Sequence, residues 1–292
     1  MIPLRPLSLS DIFNGAVGYI RAYPKPTLGL TTAVVLITSV IGFFAGLAAG
    51  RVSGDAASAA GLVTAATTTV LANTLLSGML TAIVARAVRG LPITVGEAWQ
   101  RVRDRIGALI GLTLLELAAM ATLGFALVLV VIGLTGGAGA AVAVLLGIPL
   151  ALGLLGGVAY LYASLALAPS AIVLERKSVP DAIRRSFELS RPRFWRIFGI
   201  LLLAGLVSTL VSGALSVPFD VLGGVMSIGS GANPGISATA AAAMGQAIGQ
   251  ILTAPFVAGV VTLLYVDSRI RSEAFDFALI GAAPNDDSVW LR

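Results

Sequence analysis

The chain has 292 residues, of which 57% are hydrophobic and 11% charged, against about 25% charged in soluble domains. With a mean hydropathy of +0.97, this excludes an ordinary soluble fold and implies an integral membrane protein. A net charge of +5 would suit nucleic acid, but the placement of the basic residues accounts for it without such a partner.

A helix crossing the ~30 Å hydrocarbon core needs about 20 apolar residues. The N-terminal stretch holds Arg5, Asp11, Arg21 and Lys25 and no short apolar core ahead of a small-residue cleavage site, so no cleavable leader is expected. Residues 8–20 read as a short amphipathic helix, followed by apolar runs at 27–49 and 59–84. A second amphipathic segment, 94–106, leads into runs at 106–134 and 140–168. A third, 178–191, precedes runs at 194–217 and 238–266. The long runs lack period-two alternation, which favours helices over barrel strands. Pro149 and Pro255 are expected kink positions.

Lysine and arginine in short loops orient such helices. Arg5, Arg21 and Lys25 precede the first run, and Arg86, Arg89, Arg101, Arg103 and Arg105 follow the second. Arg176, Lys177, Arg184, Arg185, Arg191, Arg193 and Arg196 follow the fourth, and Arg269, Arg271 and Arg292 follow the sixth. Of the 19 basic residues only Arg51 falls on the other side. The crowded side is expected to be cytoplasmic, with both termini there. The opposite connections, 50–58, 135–139 and 218–237, are too short for an external domain. The Gly-rich third reads either as a flexible surface loop or as a re-entrant or interfacial segment.

The three amphipathic segments share one pattern. With Ser8, Thr94 and Ser178 as position zero, position three holds Asp11, Glu97 and Asp181, a capping-box signal. Apolar or small residues recur in phase at Leu9, Val95 and Val179, at Ile12, Ala98 and Ala182, and at Ala16, Val102 and Ser186. The expected fold is therefore an all-α membrane protein, a six-transmembrane-helix bundle. It is built from three repeats of a cytoplasmic amphipathic helix plus a transmembrane hairpin. One integral membrane domain covers 1–292, with units at about 8–90, 91–177 and 178–276 and a polar C-terminal tail at 277–292. The other account is that any basic connector ahead of a span looks amphipathic.

The basic faces, with Arg101, Arg103, Arg105, Arg184, Arg185, Arg191 and Arg193, are candidates for anionic lipid headgroups. Trp99 and Trp195 suit an aromatic belt. Topology control alone is the simpler role for the same charges. Inside the spans, Glu116 stands out as a carboxylate near mid-depth, with Asn73, Gln246 and Gln250 at similar depth. These form either a polar site or hydrogen-bonded packing contacts. Asp267, Arg269, Arg271 and Glu273 are expected to form a surface ion-pair network. With no cysteine and no histidine, disulfides, thiolate metal sites and the usual general base are excluded. No catalytic constellation, metal site or cofactor motif is expected.

Three segments carry a resemblance: "LRPLSLSDIFNGAVGYIRAYPK", "APSAIVLERKSVPDAIRRSFELSRPRFWRIFGILLL" and "LLYVDSRIRSEAFDFALI". Together they resemble the bacterial multi-span proteins of the glycerophosphoryl diester phosphodiesterase membrane domain family. That resemblance implies the membrane module in a bacterial plasma (inner) membrane, without the catalytic barrel and its paired histidines. The expected function is a non-enzymatic integral membrane module that organises lipid, anionic above all, or a partner membrane protein at the inner leaflet. The alternative is a small transporter or channel with a midplane polar site around Glu116.

Overall fold

A computed structural model describes residues 6–49, 55–88, 94–135, 140–227, 236–273 and 290. Among these there is no strand. Three short polar-faced helices start on side-chain caps. Helix α1 (Leu9–Ala22) begins at Ser8, whose Oγ accepts from the Asp11 N–H at 3.1 Å while Asp11 accepts from the Ser8 N–H at 3.0 Å. Helix α4 (Val95–Arg103) repeats this reciprocal arrangement with Thr94 and Glu97, each bond 3.3 Å. Helix α8 (Val179–Ser190) has Ser178 accepting from the Asp181 N–H at 3.4 Å, with Pro180 in its first turn. Each cap satisfies backbone donors that a helix start leaves unpaired.

The long helices are α2 (Pro24–Ala49), α3 (Asp55–Val88), α5 (Ile106–Thr135), α6 (Ala140–Leu165), α9 (Phe194–Ser227) and α10 (Ile236–Glu273). Among the described residues, five stretches are long and apolar enough to cross a membrane, and α3 adds a shorter apolar stretch, Thr74–Val88. Two elements depart from expectation. A short helix, α7 (Ala168–Leu174), lies wholly buried behind the fourth run. Helix α9 continues through Pro218 to Ser227, so the first part of the expected outer loop is helical. The rest of that loop, and much of the connections at 50–58 and 135–139, lies outside the described residues.

Helix α10 is the centre of the bundle. It packs against α9, α1, α3, α2, α8 and α7, and every residue from 258 to 270 is buried. Of its most apolar window 56% is buried, against 17–22% in the other four apolar stretches. Those helices turn Leu36, Phe44, Phe125, Leu145 and Leu210 outward, surface that calls for an apolar solvent.

Small residues let the helices approach closely. A Cβ on Gly249 would lie 3.1 Å from the Ser212 Cα, and one on Gly245 3.2 Å from the Ser216 Cα. This GxxxG pair seats α10 on α9.

The three capped helices lie against the bundle. The fourth and eighth positions after each cap are fully buried in all of them: Ile12 and Ala16, Ala98 and Val102, Ala182 and Ser186. Helix α1 docks on α10 through Phe13, edge-on to Phe256 with centroids 5.4 Å apart, and through the Tyr19 hydroxyl, which donates to the Pro255 carbonyl. Helix α4 packs on α3 and α2, and α8 on α7, α6, α10 and α5.

Candidate functional site

The closing stretch of α10 carries Asp267, Arg269, Arg271 and Glu273. In α-helical geometry Asp267–Arg271 and Arg269–Glu273 are pairs four residues apart, and the two pairs lie on nearly opposite faces. Both pairs form, with Nε to carboxylate distances of 2.9 Å. The network is not a surface one, because α10 is surrounded here: the Asp267 side chain is 0% exposed and that of Arg269 1%.

Asp267 anchors one half of the cluster. Its Oδ1 accepts from the Leu7 backbone N–H at 2.7 Å, and its Oδ2 pairs with Arg196 at the start of α9. Arg196 and Arg271 also both donate to the Leu7 carbonyl, at 2.6 and 3.0 Å. Both backbone polar groups of Leu7, itself fully buried, are thus held by the same ionic group. Arg193 donates to the Arg271 carbonyl at 3.1 Å and ties in the 3₁₀ turn Arg191–Arg193.

Glu175 anchors the other half. The chain bends between α7 and α8 at Arg176, whose φ of 52° lies in the left-handed region, a costly position for a residue with a Cβ. The bend turns the Glu175 carboxylate inward, where it accepts from the Tyr265 hydroxyl and pairs with Arg185 at 3.2 Å, Lys177 at 3.1 Å and Arg269 at 3.6 Å. Arg185 also pairs with Glu273. Arg269 further donates to the Trp290 carbonyl at 3.3 Å, and Trp290 is itself buried. Burial pushes the Glu175 carboxyl up, but the Tyr265 hydroxyl and the Arg269 and Arg185 charges outweigh it and hold it below its ordinary range.

One turn and more deeper, three hydroxyls meet in the core. Thr81 of α3 lies 3.3 Å from the Ser170 hydroxyl of α7 and 3.1 Å from that of Thr262 of α10. The cluster therefore joins the N-terminal segment, α3, α7, α8, α9 and α10 at one end of the bundle. Buried charges of this kind are tolerated only when paired and hydrogen-bonded, and here each carboxylate has at least two cationic partners. Among the described residues no group of three or more acidic side chains gathers where a metal ion could be held.

The expected headgroup residues separate. Arg184 is exposed and pairs with Glu188 at 3.0 Å, four positions on. Arg103 is exposed beside Asp104, and Arg191 is exposed. Arg101, Arg105 and Arg193 are half-buried. Arg185 does not face outward: its side chain is only 16% exposed and is committed to Glu175 and Glu273. Trp99 and Trp195 are exposed, the latter at 80%.

Of the expected intramembrane residues, Glu116 and Gln246 lie in different parts of the bundle. Glu116 of α5 accepts from the Thr74 hydroxyl of α3 at 3.4 Å, and α5 makes its main contacts with α3, α6, α7 and α8. Gln246 instead lines a cleft between α9 and α10. Gln250 is half-buried on α10, and the side chain of Asn73 lies outside the described residues.

A family model, a domain of unknown function (DUF7847), matches residues 7–268. The chain belongs to the DUF7847 family. No curated protein and no solved structure matches it. The DUF7847 match takes in both ends of the Leu7–Asp267 contact, with Glu175, Arg185, Arg196 and Tyr265 between them. Sequence reasoning missed Glu175 and Tyr265. The available signal for Glu175 was a single acid heading a basic connector directly after a wholly apolar stretch.

Proposed function

We propose that this chain is a non-enzymatic membrane module of the bacterial inner membrane, with the ionic cluster and both termini on the cytoplasmic side. In this reading six helices span the bilayer as three repeats, each a capped cytoplasmic helix followed by a hairpin. The matched caps and the shared buried positions support the repeat. The module organises anionic lipid, or a partner protein that presents acidic groups, at the inner leaflet. The resemblance to the membrane domain joined to glycerophosphodiester phosphodiesterases fits such a role.

One observation carries the reading: arginines and tryptophans stand exposed together on the capped helices and the adjoining helix start. Arg103 accompanies Trp99, while Arg184 and Arg191 accompany Trp195. Indole rings favour the headgroup level, and each nearby basic residue adds about 1 kcal/mol of attraction to anionic lipid. The test is lipid co-purification. Arg184→Gln with Arg191→Gln should lower the anionic share of retained lipid several-fold at low salt, while thermal stability stays near wild type. An unchanged anionic share would remove the lipid role.

A second reading, a small transporter or channel, is favoured by Glu116, a carboxylate inside a span with a hydroxyl partner. Glu116→Gln separates the two. Retained folding with lost solute flux in proteoliposomes supports transport, and an unfolded variant supports a packing contact.

A further inference from the structure

On the far side of the bundle from the ionic cluster, α9 and α10 enclose a cleft of about 340 Å³ lined by Ser208, Thr209, Ser212, Ser216, Gln246 and Thr253. The same helices expose apolar side chains: Leu206, Leu210 and Val217 of α9 and Ile248 and Leu252 of α10. Along α9, Ser208 lies roughly 21 Å and Ser216 roughly 33 Å from Phe194 at 1.5 Å per residue. The cleft therefore runs from about mid-depth toward the opposite boundary.

Most of its hydroxyls are committed as donors, while the Gln246 amide can both donate and accept. Thr209 donates to the Gly205 carbonyl at 2.9 Å and Thr253 to that of Gly249 at 2.9 Å. Ser216 is 3.1 Å from the Gly213 carbonyl and 2.9 Å from the Asp220 carboxylate, one turn further out. With these protons directed inward, the hydroxyls offer lone pairs to an occupant. The Ser208 Oγ has no hydrogen-bond partner among the described residues and is buried in this rotamer, so it meets an occupant only on turning toward the cleft. In hydrocarbon such groups require partners.

We propose that this cleft binds the polar head of a membrane lipid that carries N–H or O–H donors and enters sideways from the bilayer. The volume suits a headgroup, whereas a helix about 10 Å across would not enter it. Asp220 at the outer end adds a site for an ammonium group. This inference rests on the membrane placement proposed above, and on nothing in the lipid role of the ionic end.

The experiment uses the full chain in nanodiscs with lipids of matched acyl chains and ethanolamine, glycerol or choline heads, and measures lipids retained after detergent exchange by native mass spectrometry. Ethanolamine- or glycerol-headed lipid should be retained over choline-headed lipid roughly tenfold, the worth of one or two hydrogen bonds. Preference for ethanolamine that falls with Asp220→Asn assigns the ammonium; preference for glycerol assigns hydroxyl donors. Thr253→Val and Ser208→Ala, which keep the packing nearly unchanged, should bring the ratio close to one. Equal retention of choline-headed lipid, or an unchanged ratio in both variants, would overturn the proposal. So would rapid disulfide cross-linking of two Thr209→Cys copies without lipid preference, which would make the cleft an interface between copies. A chain that stays in solution without detergent and retains no lipid would instead overturn the membrane placement itself.

Discussion

The backbone N–H of Leu7 donates to the Asp267 carboxylate at 2.7 Å, joining positions 260 residues apart. The same carboxylate holds Arg196 and Arg271, and both arginines return to the Leu7 carbonyl. One fully buried acid therefore fixes the N-terminal segment to the first turn of α9 and the last turns of α10.

Asp267→Asn should break this arrangement with little change in shape. It removes the charge that two guanidinium groups face. Breaking a buried pair costs about 3–5 kcal/mol, and because Arg196 and Arg271 are about a third exposed the loss should be nearer 2–3 kcal/mol. Thermal unfolding in detergent measures it, and limited proteolysis ahead of Leu9 should become faster. Wild-type stability with unchanged protease access would show that the segment is held by Leu7 packing alone.

Glu175 predicts an acid dependence. Its carboxyl is held below the ordinary value of 4.5 in the folded chain. A group so shifted stabilises fully above its unfolded value, and that stability is lost as pH falls through the folded value. The stability difference between wild type and Glu175→Gln should therefore be widest above about pH 4.5 and should narrow progressively below it. Melting temperatures of both proteins at several pH values decide the matter, and a constant difference would rule out Glu175 as the titrating group.

Gly259 lets α1 approach α10 closely. A Cβ there would lie 2.4 Å from the Tyr19 ring and 3.3 Å from the Ala16 Cα. Gly259→Ala should push Tyr19 away, break its bond to the Pro255 carbonyl and cost about 1–3 kcal/mol as overpacking. Gly18→Ala, in α1 with nothing within 4 Å of its added Cβ, should instead stabilise by up to about 1 kcal/mol through helix propensity. Opposite shifts in melting temperature are the expected result. Equal shifts would show that α1 is not seated on that contact.

What was legible in the sequence was local. Ser8, Thr94 and Ser178 marked helix starts because a cap and its partner lie three residues apart, and Ile12, Ala98 and Ala182 marked inward faces because helical period fixes them. The missed features depend on what surrounds a helix. Arg185 sits on the polar side of its own helix, yet turns inward because Glu175 is brought beneath it by the bend at Arg176. Asp267 and Arg269 read as surface residues because nothing in their neighbourhood of the sequence reveals that α10 is enclosed. Helix α7 was hidden because its apolar residues continue the preceding run, and Pro218 did not end α9 because a proline removes a single backbone donor while the helix partners on either side persist. Gln246 and Glu116 share an estimated depth, but depth along separate helices does not specify which faces meet.

Orientation gives the last prediction. The chain has no cysteine, so single cysteines report sidedness without background. In the proposed topology Gly54, Gly137 and Gly231 are outside and Arg103 and Arg184 inside; the three glycines lie outside the described residues, and both arginines are exposed. On intact cells a membrane-impermeant maleimide should label Gly54→Cys, Gly137→Cys and Gly231→Cys, and should leave Arg103→Cys and Arg184→Cys unlabelled until the cells are opened. The Arg184 position is the most informative, because it belongs to the helix that also supplies Arg185 to the ionic cluster. Labelling there from outside would place the whole cluster on the outer face, since Glu175, Asp267 and Arg196 are tied to that end by direct contacts. Protection of Gly137→Cys with labelling at the other two glycines would mean that α5 and α6 do not form a membrane hairpin, and the repeat would lose its middle unit.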